Sequence, residues 1–253
     1  MVSRHSRVWT ILLAVGLLVV AGCSRSPEAQ KARYLERGDK YAAREQYREA
    51  ILEYRNVLRL EPANARAMRQ LGLLHHQLGE FAQAFRFLLK AQELTPDDGE
   101  VRLKLGGIYL LGGKRDEARE EAVSVLTKEP NNVDALALLA DTSTTPEQVD
   151  ATIKRIEEAL PTVGDRAKPH LALGTLYLRK QDQVRAERAF QEAVAREPKS
   201  LEAHSLLGSL YLVKRDSAQA EPREGDAVRG RAGGRPASAS APAGRGRRDT
   251  RAS

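Results

Sequence analysis

Cysteine occurs once in the 253 residues, at Cys23, so the chain can close no disulfide within itself. Long apolar runs are missing too. Val8 to Val20 is an apolar stretch of 13 residues, too short for a permanent membrane-spanning helix, which needs about 20. A net field is equally absent from the body of the chain, despite a formal charge of +7. Residues 222–253 carry eight Arg against Glu224, Asp226 and Asp249, and Arg4 and Arg7 account for the rest of the excess. Residues 23–221 balance to about zero, which leaves nothing to steer a phosphate-rich partner and argues against nucleic acid. No catalytic constellation is present either. His75 and His76 are adjacent and so point to different sides of a helix, and no partners converge on them for a metal. Gly112 and Gly113 lack the context of a phosphate loop. The expectation is a chain that is not an enzyme and takes no cofactor, metal or small-molecule substrate.

The N-terminus reads as a secretory signal, with Arg4, His5 and Arg7 as the cationic lead to the apolar run. That run closes on Val20-Ala21-Gly22-Cys23, which resembles a bacterial lipoprotein lipobox. The resemblance implies removal of residues 1–22 and lipidation of the Cys23 thiol, with enough acyl chains for stable anchoring. Ser24 follows the cysteine, and by the same resemblance an outer-membrane address facing the periplasm is expected rather than the inner membrane. Residues 23–30 read as lipid anchor and polar tether.

From Lys31 the same residue types return every 34 residues, with units starting at Lys31, Ala65, Gly99, Val133, Ala167 and Leu201. The eighth position reads Gly38, Gly72, Gly106, Ala140, Gly174 and Gly208. The twentieth reads Ala50, Ala84, Ala118, Thr152, Ala186 and Ala220, and Pro62, Pro96, Pro130 and Pro198 fall at the thirty-second, where the fourth unit has Gly164. This pattern resembles the tetratricopeptide family. It implies an all-α fold, a right-handed α-solenoid of helix-turn-helix repeats over residues 31–221, with the small residues where two helices cross closely. The fourth unit, 133–166, departs: Asp141 to Pro146 interrupts its first helix, and Thr144 or Thr145 reads as the cap of a new helix from Pro146 or Glu147 to Leu160. Because the count of 34 survives, a local kink is expected there and no domain boundary. His75, His170 and His204 occupy slots that read as packing positions, and the acidic residues read as solvated helix exteriors.

The sixth unit, 201–221, begins in register with Leu207, Gly208 and Tyr211, reaches Ala220 in a second helix, and then fails. Glu224 stands where a large apolar residue is due, and Val228 is the only large aliphatic residue after Pro222. Residues 222–253 therefore read as disordered, either a natural basic tail or the product of a frame shift near codon 221 that leaves an uncapped fragment. Translating the adjacent frame decides between them.

The family resemblance implies a concave groove built from the first helices and suited to a protein or peptide partner. By repeat position its lining is Arg66, Arg69, Leu73, His76 and Gln77, with Leu103, Leu110 and Leu111. Leu171, Thr175, Leu178 and Arg179 continue it. The Lys and Asn pattern that clamps a C-terminal carboxylate in some members is missing, and the mix of Leu and Arg suits an apolar or mildly acidic segment. The expected function is a lipid-anchored scaffold of the bacterial envelope, similar to tetratricopeptide lipoproteins of exopolysaccharide export and C-terminal protein-sorting systems. A pilus- or secretin-assembly lipoprotein, and an enzyme-associated lipoprotein that has lost its catalytic domain, stay open as alternatives.

Overall fold

The computed structural model describes residues 26–220, with side chains as far as 215, so the signal segment, Cys23 and the tail lie outside the described residues. Among the described residues there are eleven helices and no strand. They are α1 (Pro27–Ala43), α2 (Tyr47–Leu60), α3 (Ala65–Gln77), α4 (Phe81–Leu94), α5 (Gly99–Leu111), α6 (Arg115–Lys128), α7 (Val133–Thr142), α8 (Pro146–Val163), α9 (Ala167–Arg179), α10 (Gln183–Arg196) and α11 (Leu201–Ala220). The chain gathers into two compact units divided between Leu207 and Gly208, so the first continues unbroken through the fourth repeat. Within that first unit each hairpin packs on the next, which makes it an all-α solenoid.

Where each first helix starts is set by the last residue of the preceding 34. Asn64, Asp98 and Asn132 accept hydrogen bonds from the backbone N–H of Ala67, Val101 and Ala135 at 2.9, 3.1 and 3.0 Å. Ser200 accepts from Ala203 at 3.3 Å, and only Arg166 breaks the series. Each cap satisfies one of the N–H groups that a helix start leaves without a partner. Ser26 does the same for α1, accepting from Ala29 at 3.1 Å, with Pro27 as first helical residue. Residues 27–30, expected in a polar tether, are therefore the opening turn of α1, because a serine cap followed by a proline with preset φ starts a helix there.

The turn between the paired helices has its own periodic residue. Position 15 is left-handed at Glu45, Gly79, Gly113 and Gln181, with φ of 59°, 73°, 75° and 60°. Such a residue ends one helix and redirects the chain into the next, at roughly 1 kcal/mol where it carries a Cβ. The sixth unit places Arg215 at this position and keeps it helical. Its expected hairpin turn is consequently absent. Tyr211 and Ala220 share one helix of 20 residues, since no residue in Leu212–Gln219 is a helix breaker.

The small eighth residue proves to be opposed by position 24 rather than by the Ala at position 20. A Cβ on Gly38 would lie 2.8 Å from the Tyr54 ring, and one on Gly72 would lie 2.6 Å from Leu88. In the third unit position 24 is the small Ala122, and Leu138 from the next repeat fills the space, 2.4 Å from a Cβ on Gly106. Tyr54, Leu88 and Ala122 are fully buried. Arg37, at a core position of the first unit, stays half in solvent over the Tyr34 ring and pairs with Glu53 at 2.9 Å.

The fourth unit solves its irregularity locally. Helix α7 stops at Thr142, and Thr145 opens α8 with a full capping box in which Gln148 returns a bond. Beyond the expected end at Leu160 the helix runs on to Val163 with Pro161 inside its last turn, where the ring forgoes one i→i−4 hydrogen bond. Ser143 and Thr152 replace the usual Tyr and Ala, and their buried hydroxyls pair at 2.8 Å.

Two buried phenols make the fold sensitive to alkali. Tyr54 donates to Asp39 Oδ1 at 2.6 Å, and Tyr177 donates to Glu157 Oε1 at 2.6 Å beneath the Arg185 guanidinium. Burial first, and the carboxylate acceptor second, raise both phenols above their ordinary range, Tyr177 to about 12. Phenols ionise near pH 10 in an unfolded chain, so these two contribute stability that is fully present below about pH 10. That contribution is lost as the pH rises through the folded values. The urea midpoint is expected to fall between about pH 10 and 12. Tyr177→Phe should flatten part of that slope; a slope unchanged in the variant would contradict the assignment.

Candidate partner-binding face

The face built by α3, α5, α7 and α9 carries the positions expected to hold a partner. It holds a cleft of about 640 Å³ between the starts of α5 and α7. Glu100, Leu103 and Lys104 line it from α5, Asp134 and Leu138 from α7, and Asp98, Glu129 and Asn132 from the adjoining turns. Helix starts gather here because the caps Asp98 and Asn132 recur at the same register. Leu103 is thus one predicted residue that lines the cleft directly.

Arg69 reaches the rim from α3. Its Nε donates to Asp98 Oδ2 at 2.7 Å, and Nη2 donates to Glu100. Burial opposes its charge, but the two carboxylates outweigh that and raise its pKa above the ordinary value. His76 lies near Lys104, and burial first, then that ammonium, lower its pKa, so it is neutral at neutral pH. It meets Phe81 edge-on at 5.5 Å. Arg66 turns to the first repeat and pairs with Asp39 Oδ2 at 2.5 Å.

The leucines divide by depth. Leu111 is 70% exposed at the end of α5, Leu110 is half-buried, and Gln77 is exposed. Leu73 is half-buried and packs against the core under α4 and α5. Between Leu103 and Leu110 stands Gly107, in mid-helix, and a Cβ there would meet nothing within 4 Å. A helix-interior glycine costs about 1 kcal/mol relative to alanine, and the fold itself supplies no reason for this one. It leaves α5 flat and open on the first-helix face.

Further along, the expected groove does not continue as predicted. Leu171 is buried, only 7% exposed, because it packs inward as a core residue. Thr175 spends its hydroxyl on the Leu171 carbonyl at 3.0 Å. Arg179 is committed to the end of α7, donating to the carbonyls of Ser143 at 2.7 Å and Asp141 at 3.3 Å and to that of Ala140. A shortened helix leaves carbonyls without partners, and this guanidinium supplies them. Leu178 remains partly exposed, at 36%. The three arginines expected to attract a mildly acidic segment are therefore already engaged within the chain.

Sequence reasoning passed over the charged residues that shape the cleft. Glu100, Asp134 and Lys168 all stand at repeat position two, the position that named Arg66, and Lys168 pairs with Asp134 at 2.5 Å across one repeat. Nor are all acids solvated: Glu121 is 9% exposed, with Arg102 at 2.6 Å and Gln92 at 2.7 Å. Of the histidines, His75 and His170 are packing residues as expected, His75 stacked on Phe87 at 5.5 Å with Nδ1 2.6 Å from Glu80. His204 is instead exposed, because no described helix covers its side of α11, and its ring meets the Pro198 carbonyl at 2.9 Å. Among the described residues no group of His, Cys, Asp and Glu is placed to hold a metal, and no helix is long and apolar enough to cross a membrane.

Comparison with known proteins agrees with this geometry. Family models described as TPR repeat and tetratricopeptide repeat match residues 38–79, 77–142 and 171–236. The protein STIP1 homolog of Dictyostelium discoideum is 25% identical over 179 residues, 68% of this chain but 30% of that protein. This chain thus spans less than a third of that relative. A tetratricopeptide repeat protein from Parabacteroides merdae superimposes with a TM-score of 0.65 at 15% identity, covering 76% of each chain. YrrB, described as a TPR protein with an unusual peptide-binding site, gives 0.57 at 15% identity over 68% of this chain and 89% of its own. Likeness at such identity shows the fold alone.

Proposed function

Because the chain belongs to the tetratricopeptide-repeat proteins, a family of interaction scaffolds that are generally non-catalytic, we propose that it holds a protein segment on its first-helix face at α5. The observation that carries this reading is Gly107, a glycine without an internal role, flanked by Leu103, Leu110 and the exposed Leu111. An apolar stretch of a partner can approach the α5 backbone there. In the cleft beside it Asp98 and Glu100 are paired with Arg69 and Asp134 with Lys168, so its lining suits a polar neighbour in the segment. Peptide binding by YrrB supports the choice of partner class.

The test replaces Leu111 with a photoreactive residue in the full chain and compares adducts with those from exposed Val184. A discrete adduct from Leu111 alone is expected, and Leu111→Arg should weaken binding of the captured partner by tenfold or more, roughly the value of an interface hot spot. Identical adducts from both positions would contradict the reading. Gly107→Ala is expected to weaken the same partner while leaving the fold intact.

On location, the lipobox-like Val20 to Cys23 supports a lipid-anchored protein of the bacterial envelope, on the outer membrane facing the periplasm. Within it, a place in exopolysaccharide export or protein sorting is the reading that the resemblance favours. For the anchor, Cys23→Ala should leave an unprocessed precursor of lower mobility and no incorporated palmitate. A variant processed and labelled like the parent would end the lipoprotein reading.

A further inference from the structure

Phenylalanine occurs four times in the chain, and three of the four, Phe81, Phe85 and Phe87, are on α4. The repeat offers an internal control for what those positions ordinarily carry. In place of Phe87 the other units have Glu53, Glu121, Arg155 and Ala189, and in place of Leu89 they have Arg55, Val123, Glu157 and Gln191. The position of Leu89 is exposed and mostly polar in those units, and that of Phe87 carries no aromatic in them, whereas α4 places a large apolar group at both.

The aromatic rings form a floor. Phe87 stacks on His75 with planes 3° apart, and Phe85 meets Tyr109 edge-on at 5.4 Å. Both are half-buried, as are Leu89 and Met68. Together these four leave a depression of about 370 Å³, with Gln83, Arg86 and Lys90 around it. Every charge in this lining is positive, in contrast to the cleft at α5, where carboxylates dominate. Lys90 has an exposed pair with Glu93 at 2.8 Å, a contact that water screens; among the described residues Arg86 has no carboxylate partner.

We propose that this face of α4 is a docking surface, separate from the first-helix face, for a protein segment that sets a large apolar side chain beside a carboxylate. The apolar group sits over Met68, Phe85 and Leu89, and Arg86 takes the carboxylate. Charge complementarity selects the acidic neighbour, since an anion is what the rim lacks. A recessed floor whose rings are already engaged favours an inserted side chain over a bilayer, which calls for protruding aromatic anchors.

A fluorescein-labelled synthetic nonapeptide that alternates glutamate with leucine and phenylalanine tests this by anisotropy on the full chain. Saturable binding is expected, weakened about tenfold or more by Arg86→Glu, as for loss of a paired interfacial charge. The same peptide with lysine for glutamate should fail on the parent and gain on Arg86→Glu. Leu89→Asp should remove both, and circular dichroism melts check that the variants stay folded. Leu111→Arg should leave this binding unchanged, which separates its failure from that of the α5 reading. The proposal is overturned by equal binding to parent and Arg86→Glu, by dependence on Leu111, or by no peptide binding. Sedimentation of the chain with phosphatidylglycerol vesicles, or self-association, lost in Arg86→Glu would equally overturn it, by naming a different occupant.

Discussion

Gly174→Ala is expected to destabilise the protein by about 2 kcal/mol or more, although it replaces a glycine in mid-helix with the best helix former. A Cβ at 174 would lie 2.3 Å from Cε1 of Phe190 and 2.5 Å from its Cδ1. Phe190 is fully buried on α10, so its ring has nowhere to swing, and α9 and α10 must part instead. Overpacking of that kind outweighs the roughly 1 kcal/mol of helix propensity gained. Gly107→Ala is the matched control, since its Cβ meets nothing, and it should stabilise the chain by about 1 kcal/mol. Urea midpoints of the two variants are expected on opposite sides of the parent. In a Phe190→Ala background the cost at 174 should vanish, because a double-mutant cycle isolates that one contact. If Gly174→Ala melts with the parent, close helix crossing is not what keeps position eight small.

Ser143→Tyr should be comparably damaging, by about 3 kcal/mol from overpacking and lost hydrogen bonds together, even though it restores the residue found in most other repeats. Tyr41, Tyr109, Tyr177 and Tyr211 hold this register position, but Ser143 is fully buried against Thr152. Its hydroxyl donates to the Leu139 carbonyl at 2.7 Å and receives Arg119 at 3.0 Å. A phenol would expel the Thr152 side chain and leave Arg119 without its acceptor. Adding Thr152→Ala should recover only part of the loss, since residue 143 is extended, with φ −78° and ψ 107°, and would not aim a ring as a helical residue does. Thermal melts of the single and double variants check this. A single variant as stable as the parent would mean that the fourth repeat is loosely packed rather than rebuilt.

These two sites mark how far the residue pattern reaches. Position eight was legible as small, since glycine returns there in five of six units, yet what opposes it, position 24 at Gly38, Gly72 and Gly174 and Leu138 of the next repeat at Gly106, is visible only when the helices are paired. The caps Asn64, Asp98, Asn132 and Ser200 were equally periodic and could have been read from the same alignment of repeats. The left-handed position 15 could not, because Glu45 and Gln181 share no side-chain property with Gly79 and Gly113. On the first-helix face, repeat position alone did not fix exposure, since Leu171 has the same repeat position as the half-buried Leu103 and is buried.

By itself the sequence determined the repeat length, the helical hairpins, the break in the fourth unit and the candidate lipidation motif, all of which are local or periodic properties of the chain. Tertiary structure alone decided which helix faces stay open, that Arg66, Arg69 and Arg179 are already engaged, and that Gly107 and α4 offer surface without an internal use. The physical reason is that helix formation and capping act over a few residues, while exposure and charge pairing depend on side chains from about one repeat away.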